Sequence, residues 1–367
     1  MNALPAWLPV TSTMEKMYAF QQQLASNNAT LSTHQGEDDA PYHPDILFIG
    51  CIDARLDLER LGITPERSLI RRTIAALVPH YKKDHPEQDF SETIEHALSR
   101  GVKHIIVMGH TQCGGLDACF HGVPKHLQRV ADHLRIIDES PLIDAQAKHA
   151  IDALEPASIH VSLDNLRSYP GIKEAEAKGQ LTLHGLLANT KTYDIQEYDE
   201  ASNALKKMRL IKKPGDTSVM VSDFISLMKQ EPPCAQRLEN PDIHEPELLM
   251  ITGIDTHINP TSLHIEYGKA LIYRGFDPCA ARRTDEKAAL EFAIEVKRVK
   301  DVVLMLPKGS EEKLRQGIEN LQHNHTVQQA LAKKEIQLHG WIVDPSTHRI
   351  AALDPATKQF MPLGKTS

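Results

Sequence analysis

Cys51, His110 and Cys113 are the residues of this chain whose types and spacing most directly offer chemistry. Cys51 closes the apolar run Asp45-Ile-Leu-Phe-Ile-Gly50, and His110 follows Lys103-His-Ile-Ile-Val-Met-Gly109, with Cys113 three residues later. Loops at the carboxyl ends of parallel strands meet in one crevice, so residues 59 apart in sequence converge there. Two soft thiolates and one imidazole are a zinc ligand set, and three protein ligands leave a fourth position for water or substrate. Asp53 and Arg55 lie in the same loop, where an arginine holds a neighbouring carboxylate ionised and oriented. From there Asp53 can accept a hydrogen bond from water on the metal, or bind the metal itself and shut the site. Taken singly, the cysteines also read as small buried hydrophobes, His110 as a core histidine and Asp53 with Arg55 as a surface ion pair. Cys119 is the nearest candidate for a fourth, closing ligand, but six residues past Cys113 in a helical stretch it points elsewhere.

The elements that must carry these residues are those of an ordinary globular chain of 367 residues, 41% hydrophobic and 25% charged. That length suits about two or three domains. With 41 Lys and Arg against 49 Asp and Glu, the formal charge of -8 gives no global attraction to polyanions, which argues against nucleic acid as a partner. No run reaches the roughly 18 apolar residues of a membrane span. Five irregularly spaced cysteines are too few for a disulfide scaffold. These features together predict a cytoplasmic protein.

The runs at 45–50 and 103–108 read as buried strands of a parallel sheet. Asp89-Phe-Ser-Glu92 starts a helix between them that stops at Gly101, which makes a βαβ unit. Helical patterns follow at about 124–138 and 158–168, then an alternating strand at 180–187 and a partner near 192–196. Met17, Phe20 and Leu24 mark an amphipathic helix within 14–26. The proline-rich stretch 211–246 reads as a connector with one helix at 221–229.

The later part of the chain repeats the earlier. Ile49-Gly-Cys-Ile-Asp-Ala-Arg55 is matched by Ile251-Thr-Gly-Ile-Asp-Thr-His257, and Leu69-Ile-Arg-Arg72 by Leu271-Ile-Tyr-Arg274, both at an offset of 202. Residues 163–185 align without a gap on 318–340 with 8 identities in 23 positions, among them Asn165/Asn320 and Leu-His-Gly at 183–185 and 338–340. Matched segments in the same order point to a tandem duplication. At the metal positions the second copy has Gly253, Pro307 and Ser310, so it cannot make the site of the first.

Cys51-Ile-Asp-Ala-Arg55 followed by Gly109-His-Thr-Gln-Cys-Gly-Gly115 resembles the β-class carbonic anhydrases. The resemblance covers about 45–210, including Arg72-Thr-Ile-Ala-Ala-Leu-Val-Pro79, Ser162-Leu-Asp-Asn-Leu166 and Leu181-Thr-Leu-His-Gly185. Thr73 and Ala76 stand where that family has asparagines or glycine, and Ala54 where serine is common. The resemblance implies a zinc hydro-lyase that converts carbon dioxide reversibly to bicarbonate, with Cys51, His110 and Cys113 on one zinc per chain. It also implies that Asp53 and Arg55 control the fourth position, Asp53 conditionally as a ligand, and that paired subunits wall each site. The fold expected is α/β, two copies with a mainly parallel sheet flanked by helices and packed as a pseudo-dimer. The divisions are 1–44 helical arm and linker, 45–210 zinc-binding domain, 211–246 connector and 247–367 degenerate domain. Partners reduce to a small-molecule substrate and further copies of the chain. Hydrolysis of a sulfur compound shaped like carbon dioxide and a non-catalytic assembly or regulatory role are the alternatives.

Overall fold

The computed structural model describes residues 43–58, 67–83, 89–143, 151–192, 194–207, 244–256, 268–279 and 283–363, with residues 21, 61, 63, 263, 265 and 281. Internal contacts divide the chain into a first unit of residues 43–85 and 90–244 and a second of 1–42, 86–89 and 245–367. Among the described residues no helix is long and apolar enough to cross a membrane.

In the first unit, strands β1 (Ile46–Cys51), β2 (Ser68–Thr73), β3 (His104–His110) and β4 (Thr182–Ala188) are mutually parallel, and β5 (Ile195–Asp199) and β6 (Ala204–Lys207) extend the sheet antiparallel in the order β2-β1-β3-β4-β5-β6. The unbroken apolar sequence of β1 fits its place between two strands, where Leu47, Phe48 and Ile49 are fully buried. Helix α1 (Asp89–Ser99) connects β2 to β3, as its sequence predicts. Beyond β3 come α2 (Gly114–His121), α3 (Gln128–Leu134), α4 (Ile151–Leu166) and α5 (Ile172–Ala177). Helix α4 starts seven residues before the expected pattern at 158. It runs through Pro156 because it buries Leu154, Ala157, Ile159 and Leu163 on both sides of that residue, which outweighs one missing backbone bond.

The second unit has the same order of strands. Here β7 (Leu248–Gly253), β8 (Ala270–Gly275), β9 (Asp301–Pro307) and β10 (Gln337–Val343) are parallel, and β11 (Ile350–Leu353) and β12 (Phe360–Pro362) antiparallel, as β8-β7-β9-β10-β11-β12. The registers agree as well: Ile46 faces Ser68 and His104, and Leu248 faces Ala270 and Asp301. Helices α6 (Thr284–Glu291), α7 (Glu311–His323) and α8 (His325–Ala332) complete this unit.

Two pairs of matched residues do the same work in each unit. Asn165 on α4 donates to the Val78 carbonyl at 2.9 Å, and Asn320 on α7 donates to the Cys279 carbonyl at 2.8 Å. Gly185 in β4 lets α4 approach closely, since a Cβ there would lie 2.5 Å from Ile159 Cγ2. A Cβ on Gly340 in β10 would lie 2.6 Å from Leu314 Cδ2 of α7. The Leu-His-Gly repeat therefore marks where a helix seats on the sheet.

Of residues 1–42, within the stretch read as arm and linker, Gln21 is described: its amide donates to the His348 carbonyl and accepts the Ile350 N–H of β11. The rest of the expected helix at 14–26, and the one at 221–229, lie outside the described residues.

Gly185→Ala forces a methyl group into the α4 contact and is expected to destabilise the first unit by about 1–3 kcal/mol. Chemical denaturation of the variant checks this, with an unchanged midpoint counting against the close seat.

Candidate metal centre

Cys51 is the last residue of β1, His110 the last of β3, and Cys113 immediately precedes α2. In-register pairing of β1 with β3 places the two strand ends side by side. The turn after β3 is fixed by Thr111, whose N–H donates to the Ala188 carbonyl while its hydroxyl accepts the Thr190 N–H. Gln112 adopts a left-handed backbone with φ of 57°, and its carbonyl accepts Arg55 Nη2 at 2.8 Å.

The loop after β1 is shaped by Arg72 of β2. Its guanidinium donates to the carbonyls of Cys51 (2.9 Å), Asp53 (3.1 Å) and Leu56 (2.5 Å), so one side chain sets the path of six residues. Sequence reading found Arg72 in a matched stretch without assigning it this grip. The Ser162-to-Asn165 segment of α4 binds the next loop: Ser162 Oγ donates to the Ala76 carbonyl and accepts the Val78 N–H. Ala75 and Ala76 there have φ of 55° and 56°, a costly conformation for residues with a Cβ. A glycine at either position would relieve it.

Among the described residues, Cys51, His110 and Cys113 form a metal-capable group whose ligand atoms lie within 4.8 Å of one another, all buried. The sulfurs are 3.8 Å apart, far beyond a disulfide and equal to the roughly 3.8 Å expected between two sulfurs on a tetrahedral zinc. His110 Nδ1 faces the Thr111 carbonyl at 2.9 Å, and a carbonyl can only accept, so the proton is on Nδ1. In the neutral ring Nε2 then offers a lone pair, and that atom is buried with no hydrogen-bond partner. An orphaned imidazole nitrogen beside two thiols at metal spacing fits zinc.

Asp53 and Arg55 are both 2% exposed, so theirs is a buried pair and not a surface one. Arg55 Nη2 donates to Asp53 Oδ2 at 2.7 Å, Arg55 Nε reaches both carboxylate oxygens at 3.1 Å, and the Arg55 backbone N–H donates to Oδ1 at 2.9 Å. Asp53 Oδ2 also lies 3.8 Å from His110 Nε2 and 3.3 Å from His244 Nε2. Burial alone would raise the pKa of Asp53, but the charges of His110 and His244 and the bonds from Arg55 hold it well below the usual carboxylate range. Cys119, half-buried on α2, is not in the metal-capable group.

Two further groups escaped the sequence reading. His244 comes from the stretch read as connector, and nothing in its local pattern marks it. Glu155 on α4 is buried and accepts a hydrogen bond from the Gln112 N–H. Burial and the nearby Asp152 charge push its pKa up to about 7, against the lowering effect of His110.

In the second unit the corresponding positions are Gly253 ending β7, Pro307 ending β9 and Ser310 preceding α7. None offers sulfur or imidazole.

A sequence profile for the family described as carbonic anhydrase matches residues 46–195. Carbonic anhydrase 1 of Escherichia coli O157:H7 is 30% identical over 170 residues, which span 43% of this chain and 75% of that protein. Beta carbonic anhydrase 5, chloroplastic, of Arabidopsis thaliana is 31% identical over 181 residues, 45% of this chain and 58% of that one. A tetrameric β-carbonic anhydrase structure from Sordaria macrospora aligns at 26% identity and a TM-score of 0.37, covering 49% of this chain and 96% of that one. By its matched first unit, this chain belongs to the carbonic anhydrase family, with relatives of the β class.

The metal-free ligands carry protons that a metal must displace. Burial alone would raise the pKa of Cys51, but the hydrogen bond from Cys113 and the charge of His110 lower it well below the ordinary thiol range. That same bond, together with burial, raises Cys113 well above it. Burial alone would lower His110, but the Cys51 thiolate and Asp53 raise it. Cys113, held above the ordinary thiol range, is protonated near neutral pH, so zinc binding is expected to release at least about one proton. Calorimetric titrations of the metal-free protein in buffers of different ionisation enthalpy measure this number, and a value near zero contradicts the assignment.

Proposed function

We propose that this chain hydrates carbon dioxide reversibly to bicarbonate and a proton, using one zinc ion held by Cys51, His110 and Cys113. The observation that carries the proposal is the buried, partnerless His110 Nε2 facing two thiols at zinc spacing, with the Asp53–Arg55 pair alongside. When bound, zinc supplies a Lewis acid that makes a water nucleophilic near neutral pH. The chain's own residues do the rest. Asp53 Oδ2 accepts a hydrogen bond from the reacting water and so aims its lone pair at the carbon. Arg55 keeps Asp53 ionised and turned toward the site, and the Gln112 carbonyl anchors Arg55 from its far side. The thiolates of Cys51 and Cys113 would offset the ion's charge and make its water less acidic than beside three histidines, where the pKa is about 7, so turnover is expected to rise into the alkaline range.

The second unit extends the proposal. We infer a tandem duplication whose second copy gave up metal binding, supported by the equal strand order, registers, asparagine bonds and helix seats. Its proposed use is to serve the first copy as the second subunit of a pseudo-dimer, with further homo-oligomers built from such units. A cytoplasmic setting belongs to the same reading and rests on the few, irregularly spaced cysteines of the sequence.

Stopped-flow measurement of carbon dioxide hydration, with and without chelator, tests the activity. Asp53→Ala and Arg55→Ala are expected to lose at least about 100-fold in turnover while retaining zinc. Near-normal rates in both reduce the pair to a structural role, and faster turnover of carbonyl sulfide than of carbon dioxide moves the substrate to the sulfur analogue.

Elemental analysis is expected to find one zinc per chain and none in Cys51→Ala. Two per chain would contradict a metal-free second copy.

A further inference from the structure

We propose that His244 is a positioning residue that holds Asp53 on Arg55 and thereby keeps the fourth metal position open. The inference rests on the proposed zinc site but assigns a role to a residue outside the stretch matched by the family profile, 46–195.

The geometry is specific. His244 Nε2 lies 3.3 Å from Asp53 Oδ2, and its side chain is 11% exposed. Oδ2 lies 3.8 Å from His110 Nε2 and accepts Nη2 and Nε of Arg55, while Oδ1 accepts the backbone N–H and Nε of Arg55. His244 therefore meets the one carboxylate oxygen that would move if Asp53 left Arg55 to ligate the metal. A proton on Nε2 would face that oxygen at ion-pair distance, and a cationic ring would add its charge.

Asp53 is bonded to Arg55 in this structure, and ligation of the metal would be the competing state. A donor that reaches Oδ2 only in the first stabilises that state over the second. Arg55 alone supplies a fork to the carboxylate, and a fork can follow the carboxylate through small rotations. A second donor from another direction fixes the rotation. His244 precedes the second unit in sequence, so a segment between the two copies, absent from a single copy, supplies this donor.

The experiment uses the full-length protein with Co2+ in place of zinc, whose visible spectrum reports the number and kind of ligands. Thiocyanate is the probe for an open fourth position. His244→Leu keeps the bulk and removes the donor. It is expected to bind thiocyanate about tenfold more weakly than the parent, with a spectrum shifted toward carboxylate ligation before the anion is added. His244→Gln, which restores an N–H, is expected to return both readouts toward the parent.

Equal thiocyanate affinity and an unchanged spectrum in the leucine variant overturn the proposal, as does a glutamine variant that behaves like leucine. Unfolding of both variants, seen by circular dichroism, also overturns it by making His244 a packing residue. None of these readouts depends on carbon dioxide turnover. A parent protein that binds cobalt and shows the His244 effect yet fails to hydrate carbon dioxide refutes the proposed reaction and leaves the His244 assignment standing.

Discussion

The in-register parallel pairing of β1 with β3 is the constraint on which the site depends. Parallel strands about 4.8 Å apart end at the same level, so whatever residues close them become neighbours without any loop having to search for the other. Cys51 and His110 are those closing residues, and Cys113 follows by one short turn. A slip of one residue would turn Cys51 to the opposite face of the sheet and dissolve the cluster. The buried apolar faces of Leu47, Phe48, Ile49, Ile105 and Val107 are what forbid that slip.

This convergence brings thiols, an imidazole, a carboxylate and a guanidinium into a nearly dry place. Buried charges are tolerated only when bonded, and the chain meets that demand with close pairing. Asp53 receives Arg55 on both oxygens, and Arg55 spends its remaining reach on the Gln112 carbonyl. The left-handed turn at Gln112 is part of this arrangement, since it points that carbonyl at the guanidinium. His110 Nε2 is buried with no hydrogen-bond partner, beside two thiols 3.8 Å apart that could hold a metal with it.

What could be read from the sequence follows from the same physics. A residue that sits directly after an apolar run closed by glycine announces both its strand and its position at the strand's end, which is why the meeting of Cys51, His110 and Cys113 was legible. Asp53 and Arg55 were legible as neighbours of Cys51, and the match of 163–185 with 318–340 was legible because it includes residues, Asn165 and Asn320, Gly185 and Gly340, that make like bonds and seats in the two units. The grip of Arg72 was not, because its acceptors are backbone carbonyls, which every residue has. His244 lay beyond reach for a related reason. It is 1 of 20 histidines, in a proline-rich stretch with no period to read, and only tertiary contact singles it out. Helix α4 begins ahead of the pattern at 158–168 and runs through Pro156, because the apolar residues on both sides share one seat.

The hold of Arg72 on three carbonyls of the Cys51 loop has a consequence in time rather than in affinity. A loop fastened at residues 51, 53 and 56 by one guanidinium cannot loosen a single bond and swing out. It opens as a block, together with the end of β1, and such openings are rare excursions of a well-packed element. Any ion seated on Cys51 then leaves at the pace of that local unfolding, and a chelator in excess must wait for it.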